Sequence, residues 1–118
     1  MTADTRPIVG IDLGTTHSLI AVYEGDAPRL LSGLMPSAVA LDGSDHLIVG
    51  APAHERLAWK PDCGVARFKR DIGPARRHPL GEREVGAIEL SSLVLKELVA
   101  QAEEVLGWRP ERVVITVP

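Results

Sequence analysis

The chain has 118 residues, 45% of them apolar, with 13 basic and 16 acidic side chains and a formal net charge of −3. That is material for one modest core, and the balance offers no electrostatic case for nucleic acid or an anionic membrane as partner. No apolar stretch is long enough to span a bilayer, and the first residues lack the basic flank and apolar core of a secretory signal.

Ile8 to Ile11 is apolar and mostly β-branched, which predicts a strand buried on both faces. Asp12 closes that run, and Gly14, Thr15, Thr16 and His17 follow before a second strand from Ser18 to Tyr23. Gly25-Asp26 punctuates the chain ahead of a third strand at Arg29-Leu30-Leu31. Pro36-Ser37 breaks it again before Ala38–Leu41, and the Asp42–Asp45 cluster reads as a turn into Leu47-Ile48-Val49. Short strands with short connections predict a largely antiparallel meander.

A short helix is expected over Ala51–Trp59, with Pro52 in the first turn, where a missing N–H costs least. Cys63, the only cysteine, excludes an internal disulfide, reads as a packing residue, and fits a reducing cytoplasm. From Pro61 to Gly86 the pattern dissolves into glycine, proline and basic residues, so loop is expected, with one ordered segment near Phe68. Val94, Leu98, Ala102 and Val105, with Leu95, Val99 and Leu106, then form the apolar stripe of a clear helix that Gly107 stops. Val113 to Val117 reads as another buried strand. A chain ending directly after such a strand is expected to be part of something longer.

The stretch "GIDLGTTHSL" carries the chemistry. Phosphate needs several N–H donors, and a divalent ion between phosphates needs oxygen ligands. Gly14 removes a side chain from the bend, Thr15 and Thr16 supply N–H groups and hydroxyls, and Asp12 supplies a carboxylate. A hairpin whose polar residues only satisfy its own turn remains an equal reading of this segment alone. It is not a Walker-type loop, because no Gly-Lys-Ser/Thr and no helix follow it. The four histidines, His17, His46, His54 and His78, show no metal-ligand spacing. Arg76-Arg77-His78 reads as a solvated loop.

Several further segments tip the balance. "IVGIDLGTTHSLIAVYEGDAPRLL", "PSAVAL", "LIVGAPAHERL", "FKRDIG", "ELSSLVLKELVAQAEEVLG" and "VVITVP" occur in the order found in the DnaK-type heat-shock chaperones, members of the actin-like ATPase superfamily. The resemblance runs from Ile8 to Pro118, and "HSLIAVY", "FKR" and "ELSSLVLKEL" resemble the HscC branch in particular. It implies an α/β fold of ribonuclease-H-like type, with a mixed sheet of about five strands and a flanking helix, as an incomplete part of an ATPase domain. It also implies ATP and ADP as ligands, Mg2+ near Asp12, and β- and γ-phosphates surrounded by Gly14, Thr15, Thr16 and His17. Lys69, in the Phe-Lys-Arg stretch, would orient the attacking water or the γ-phosphate. Pro118 matches a proline that relays nucleotide state between domains.

The implied parent activity is hydrolysis of ATP coupled to binding and release of unfolded peptide, with a J-domain protein and a nucleotide exchange factor as partners. The family's second phosphate loop, adenosine segment and peptide-binding domain would lie beyond Pro118. Three departures stand out. His17 replaces the usual bacterial asparagine, Met35 stands where threonine is usual, and the segment from Gly73 to Ile88 is short. Two other readings remain open, a sugar kinase with the same Asp-x-Gly-Thr-Thr opening and a non-catalytic interaction fragment.

Overall fold

The computed structural model describes residues 7–24, 27–72 and 76–116. Pro118 and Val117 lie outside them, so the relay role expected of Pro118 has no structural counterpart here.

The first two strands, β1 (Val9–Leu13) and β2 (His17–Glu24), form the hairpin around the Gly14–Thr16 turn. β3 (Ala27–Leu30) extends the sheet antiparallel from β2, one or two residues earlier than the hydrophobic run implied. The short β4 (Met35–Pro36) pairs with the start of β2, joining His17 to Pro36 and Ser18 to Met35. β5 (Ala38–Leu41) then leaves this sheet and becomes the centre of a second, between β6 (Leu47–Val49) and β7 (Gly64–Ala66). The Asp42 turn joins β5 to β6. Its carboxylate accepts the N–H groups of His46 (3.0 Å) and Ser44 (2.8 Å), and those two bonds hold the carboxyl below its ordinary range.

Helix α1 (Ala51–Trp59) packs on the second sheet. Ala38, Ala40, Ala53 and the free Cys63 form a small-residue cluster there, so the cysteine is a packing residue. Helix α2 (Ala87–Leu106) covers the main core. Gly86 precedes it and donates its N–H to Glu89 Oε1 (3.3 Å), the half of a capping box open to a residue without a side chain. Gly107, with φ of 79°, ends α2 by donating its N–H to Glu103 O at 2.9 Å. The chain then returns as β10 (Val113–Thr116), parallel to β1, pairing Val9 with Val113 and Asp12 with Thr116. A parallel neighbour needs a long crossover, and α2 lies within it. The result is a mixed five-stranded sheet with a flanking helix, as expected.

Four expectations are corrected. The span from Arg77 to Gly86 is not loop, because β8 (Arg77–Leu80) and β9 (Arg83–Gly86) form a hairpin around Gly81-Glu82. Gly81 takes φ of 64° there, the conformation a two-residue hairpin turn demands. β1 buries only one face. Val9, Ile11 and Leu13 point into the core, while Ile8 is 41% exposed. β10 is exposed at every residue and forms the edge of its sheet. Val105 lies in the middle of the predicted stripe yet is 52% exposed, while Leu106 beside it packs against the core that Leu90, Val94, Leu98 and Ala102 fill.

Gly64 marks the closest backbone approach between β5 and β7. A Cβ there would lie 2.1 Å from the Val39 carbonyl oxygen and 2.5 Å from Ala40 Cα, both backbone atoms that cannot step aside. Gly64→Ala is therefore expected to destabilise the chain by roughly 1–3 kcal/mol or more. Gly43→Ala, which meets nothing within 4 Å, should stay within about 0.5 kcal/mol of the parent. Urea denaturation of the two variants checks the contrast.

Candidate functional site

The Asp12–His17 hairpin owes its shape to a residue outside it. Ser37, between β4 and β5, donates its hydroxyl proton to the Gly14 carbonyl (2.9 Å) and its backbone N–H to the Thr16 carbonyl (2.9 Å). Ser18 Oγ lies 2.8 Å from Ser37 Oγ, and both serines are buried. A hydroxyl carries one proton, so with that of Ser37 spent on Gly14, Ser18 is the donor between them. Two carbonyls of the turn are thereby drawn to Ser37. In a trans peptide the C=O and the following N–H point in opposite directions, and no peptide bond here is cis. The N–H groups of Thr15 and His17 are therefore directed away from Ser37.

Gly14 is required by the hairpin itself. A Cβ on it would fall 2.2 Å from the His17 carbonyl oxygen, so even alanine would force the turn open. Among the described residues no acceptor takes the N–H of Thr15 or Thr16. Thr16 and His17 are exposed and Thr15 is half-buried. The turn thus offers backbone donors at the surface without side-chain obstruction, which is the geometry of an anion-binding concavity.

Asp12, at the end of β1, is exposed. The β1–β10 register brings Thr116 beside it, and the Thr116 hydroxyl lies 3.3 Å from both the Ile11 carbonyl and Asp12 Oδ1. One proton shared at that distance is a weak tie, so the carboxylate keeps most of its acceptor capacity. That suits a hard cation which retains several waters and takes one or two carboxylates. Among the described residues no group of three or more His, Cys, Asp or Glu side chains gathers into an all-protein metal cage.

Lys69 sits on a different segment, the 3-10 turn Phe68–Asp71, which packs against α2. Phe68 is 1% exposed and belongs to the same apolar cluster as Leu13 at the end of β1. The Lys69 ammonium is buried and has no hydrogen-bond partner among the described residues. An ammonium removed from water without an acceptor is costly, and such an orphan in a native fold calls for an explanation such as a bound anion. The described residues supply no bond between Lys69 and the hairpin. The shared core joins the two segments.

Sequence reasoning missed four residues at this site. Ser37 and Ser18 were legible only as strand-edge residues, and the pairing of Thr116 with Asp12 is a matter of sheet register. His78, read as part of a solvated loop, is only 13% exposed and lies 2.8 Å from Asp71 Oδ2. Its neighbours Arg76 and Arg77 are exposed, as expected.

The family model described as Hsp70 protein matches residues 8–88. "Chaperone protein DnaK" from each of two strains of Halobacterium salinarum is 39% identical over 120 aligned residues, which cover 97% of this chain. The chain spans 19% of the length of those curated relatives. With most of its length matched by the family model and the hairpin, the Phe-Lys-Arg turn and α2 in their expected order, the chain belongs to the Hsp70 family.

Proposed function

We propose that residues 1–118 form the N-terminal part of the ATPase domain of an Hsp70 chaperone, and that the Asp12–His17 hairpin holds the phosphates of ATP and ADP. The parent activity on this reading is hydrolysis of ATP to ADP and phosphate, coupled to binding and release of unfolded peptide by segments outside residues 1–118. A J-domain protein and a nucleotide exchange factor are the partners that go with that activity. A cytoplasmic location goes with it too, and no helix of the described residues is long and apolar enough to cross a membrane. The HscC branch remains the reading of "HSLIAVY" and "ELSSLVLKEL".

The observation that carries the proposal is the buried ammonium of Lys69, which has no partner among the described residues. A γ-phosphate or a water bound to it gives that cation its missing acceptor. Phosphoryl transfer asks for positioning and for neutralisation of oxygen charge, and each residue has a role of that kind. The N–H groups of Thr15, Thr16 and His17 donate to phosphate oxygens, those of Thr15 and His17 being directed away from Ser37 by its bonds to the carbonyls before them. Gly14 lets the backbone come close. Asp12 holds Mg2+ directly or through water, and the ion, when bound, neutralises phosphate charge. His17 acts through its backbone, so the exchange of asparagine for histidine there leaves the phosphate contact in place. Lys69 orients the reacting groups.

Three outcomes test this reading. In a complete Hsp70 ATPase domain carrying this chain as its first part, Lys69→Ala should slow single-turnover hydrolysis by about a hundredfold or more, with a much smaller change in ATP affinity. Normal hydrolysis would make Lys69 a structural cation. Asp12→Asn in the same domain keeps the size and removes the charge. It should raise the magnesium concentration needed for half-maximal turnover while circular dichroism stays unchanged, and an unaltered magnesium titration would reduce Asp12 to a turn residue. The 118-residue chain by itself should release no phosphate from ATP, because the hairpin and Lys69 supply one wall of a cleft, whereas alignment is worth roughly 7–11 kcal/mol of barrier. Saturable phosphate release that disappears in Lys69→Ala would contradict that expectation.

A further inference from the structure

We propose that His78 is a positioning residue for Lys69, acting through Asp71. The proposal rests on the reading of Lys69 given above and adds what keeps that lysine in place.

A four-residue 3-10 turn is a poor platform. Its hydrogen bonds are badly aligned and few, and here it follows Arg67, a non-glycine residue at φ of 58°. The turn is held at its two ends. At the first, Phe68 is sunk in the main core. At the second, the Ile72 N–H bonds back to the Lys69 carbonyl at 3.1 Å, and the Asp71 carboxylate meets His78. Lys69 lies between these anchors.

The Asp71–His78 contact is short, 2.8 Å from Oδ2 to Nε2, and the side chains are only 16% and 13% exposed. A carboxylate can only accept, so Nε2 carries the proton and the histidine donates. The second Asp71 oxygen has Arg76 Nη1 at 3.7 Å, but that arginine is 68% exposed and its pull is screened by water. His78 is the firmer tie because of what stands behind it. It belongs to β8, opposite Val85 of β9, and Val85 is 1% exposed in the core that α2 covers. β9 then runs directly into α2 through Gly86. The bond fastens the lysine-bearing turn to a hairpin and helix that are themselves packed. Without it, one end of the turn is released and the Lys69 ammonium moves out towards water, where it finds hydrogen bonds at once.

The test uses two separable readouts. In the 118-residue chain, His78→Leu keeps apolar bulk and removes the donor, while His78→Gln keeps a donor at nearly the position of Nε2. His78→Leu should speed amide exchange at Ile72 by about tenfold or more and raise labelling of Lys69 by an amine-directed reagent. Exchange in the middle of α2 should stay unchanged, and His78→Gln should restore the parent values. If His78→Leu does not fold, Asp71→Asn is read against His78→Gln in the same way. In the complete ATPase domain, His78→Leu should lower kcat by about tenfold to a hundredfold, leave KM for ATP nearly unchanged, and be rescued by glutamine. Parent-like exchange at Ile72 and parent-like Lys69 labelling in His78→Leu would overturn the proposal, as would a loss of kcat that glutamine does not rescue. Normal hydrolysis in Lys69→Ala is a different result. It would overturn the assigned role of Lys69, and with it the catalytic consequence of His78, whatever the exchange at Ile72.

Discussion

The geometry of the Asp12–His17 hairpin depends on one serine. Ser37 uses its hydroxyl and its backbone N–H to take up the carbonyls of Gly14 and Thr16, and it is itself secured by Ser18. Planar trans peptides convert that pull on two carbonyls into N–H groups of Thr15 and His17 directed away from Ser37. The serine also stands where the chain leaves the five-stranded sheet, through β4, for the three-stranded sheet, through β5. A single buried position therefore couples the join between the sheets to the donors on the surface. A buried hydroxyl without partners would cost free energy, so the arrangement is stable only with both serines and both carbonyls engaged.

The candidate site divides into a part on β-structure and a part on a short turn. Asp12 and the hairpin donors ride on β1 and β2, whose inward faces are packed by α2. Lys69 rides on four residues that have little internal order of their own, held by Phe68 on one side and Asp71 on the other. Strands carry the hairpin donors and Asp12, and Lys69, on the short turn, is anchored from both flanks. The exposed outer face of β1 and the exposed β10 follow from the same architecture, since α2 covers one face of the sheet and the described residues supply nothing to cover the other.

Much of this was legible in the sequence. The Asp-x-Gly-Thr-Thr hairpin, the two helices and the Gly107 stop all carry local signals, namely strand–glycine–strand punctuation, 3.6-residue periodicity and a glycine at the C-cap. What the sequence hid was of two kinds. Partners in space leave no local trace. The pairing of Thr116 with Asp12, the Ser37–Gly14 bond and the His78–Asp71 bond join residues that only the fold brings together. The extent of a neighbouring surface leaves none either, so Val105 looked like part of the core and β10 looked buried, although Val105 is exposed and β10 forms an edge. The β8–β9 hairpin is intermediate. Pro79 and the flanking charges obscured it, and only the Gly81-Glu82 pair, with glycine at the first turn position, offered a signal.

The measurement that bears most directly on the account is amide NMR of a complete ATPase domain, with and without magnesium and ATP, for the parent sequence and for Ser37→Ala. The account predicts that the Thr15 and His17 amide protons of the parent shift downfield when nucleotide binds. In Ser37→Ala, which removes the hydroxyl bond to Gly14 but keeps the backbone bond to Thr16, the Thr15 shift should be lost or much reduced, with the His17 shift retained and the α2 amides unchanged. Nucleotide binding that leaves Thr15 and His17 unmoved in the parent, or moves Thr15 equally in Ser37→Ala, would contradict it.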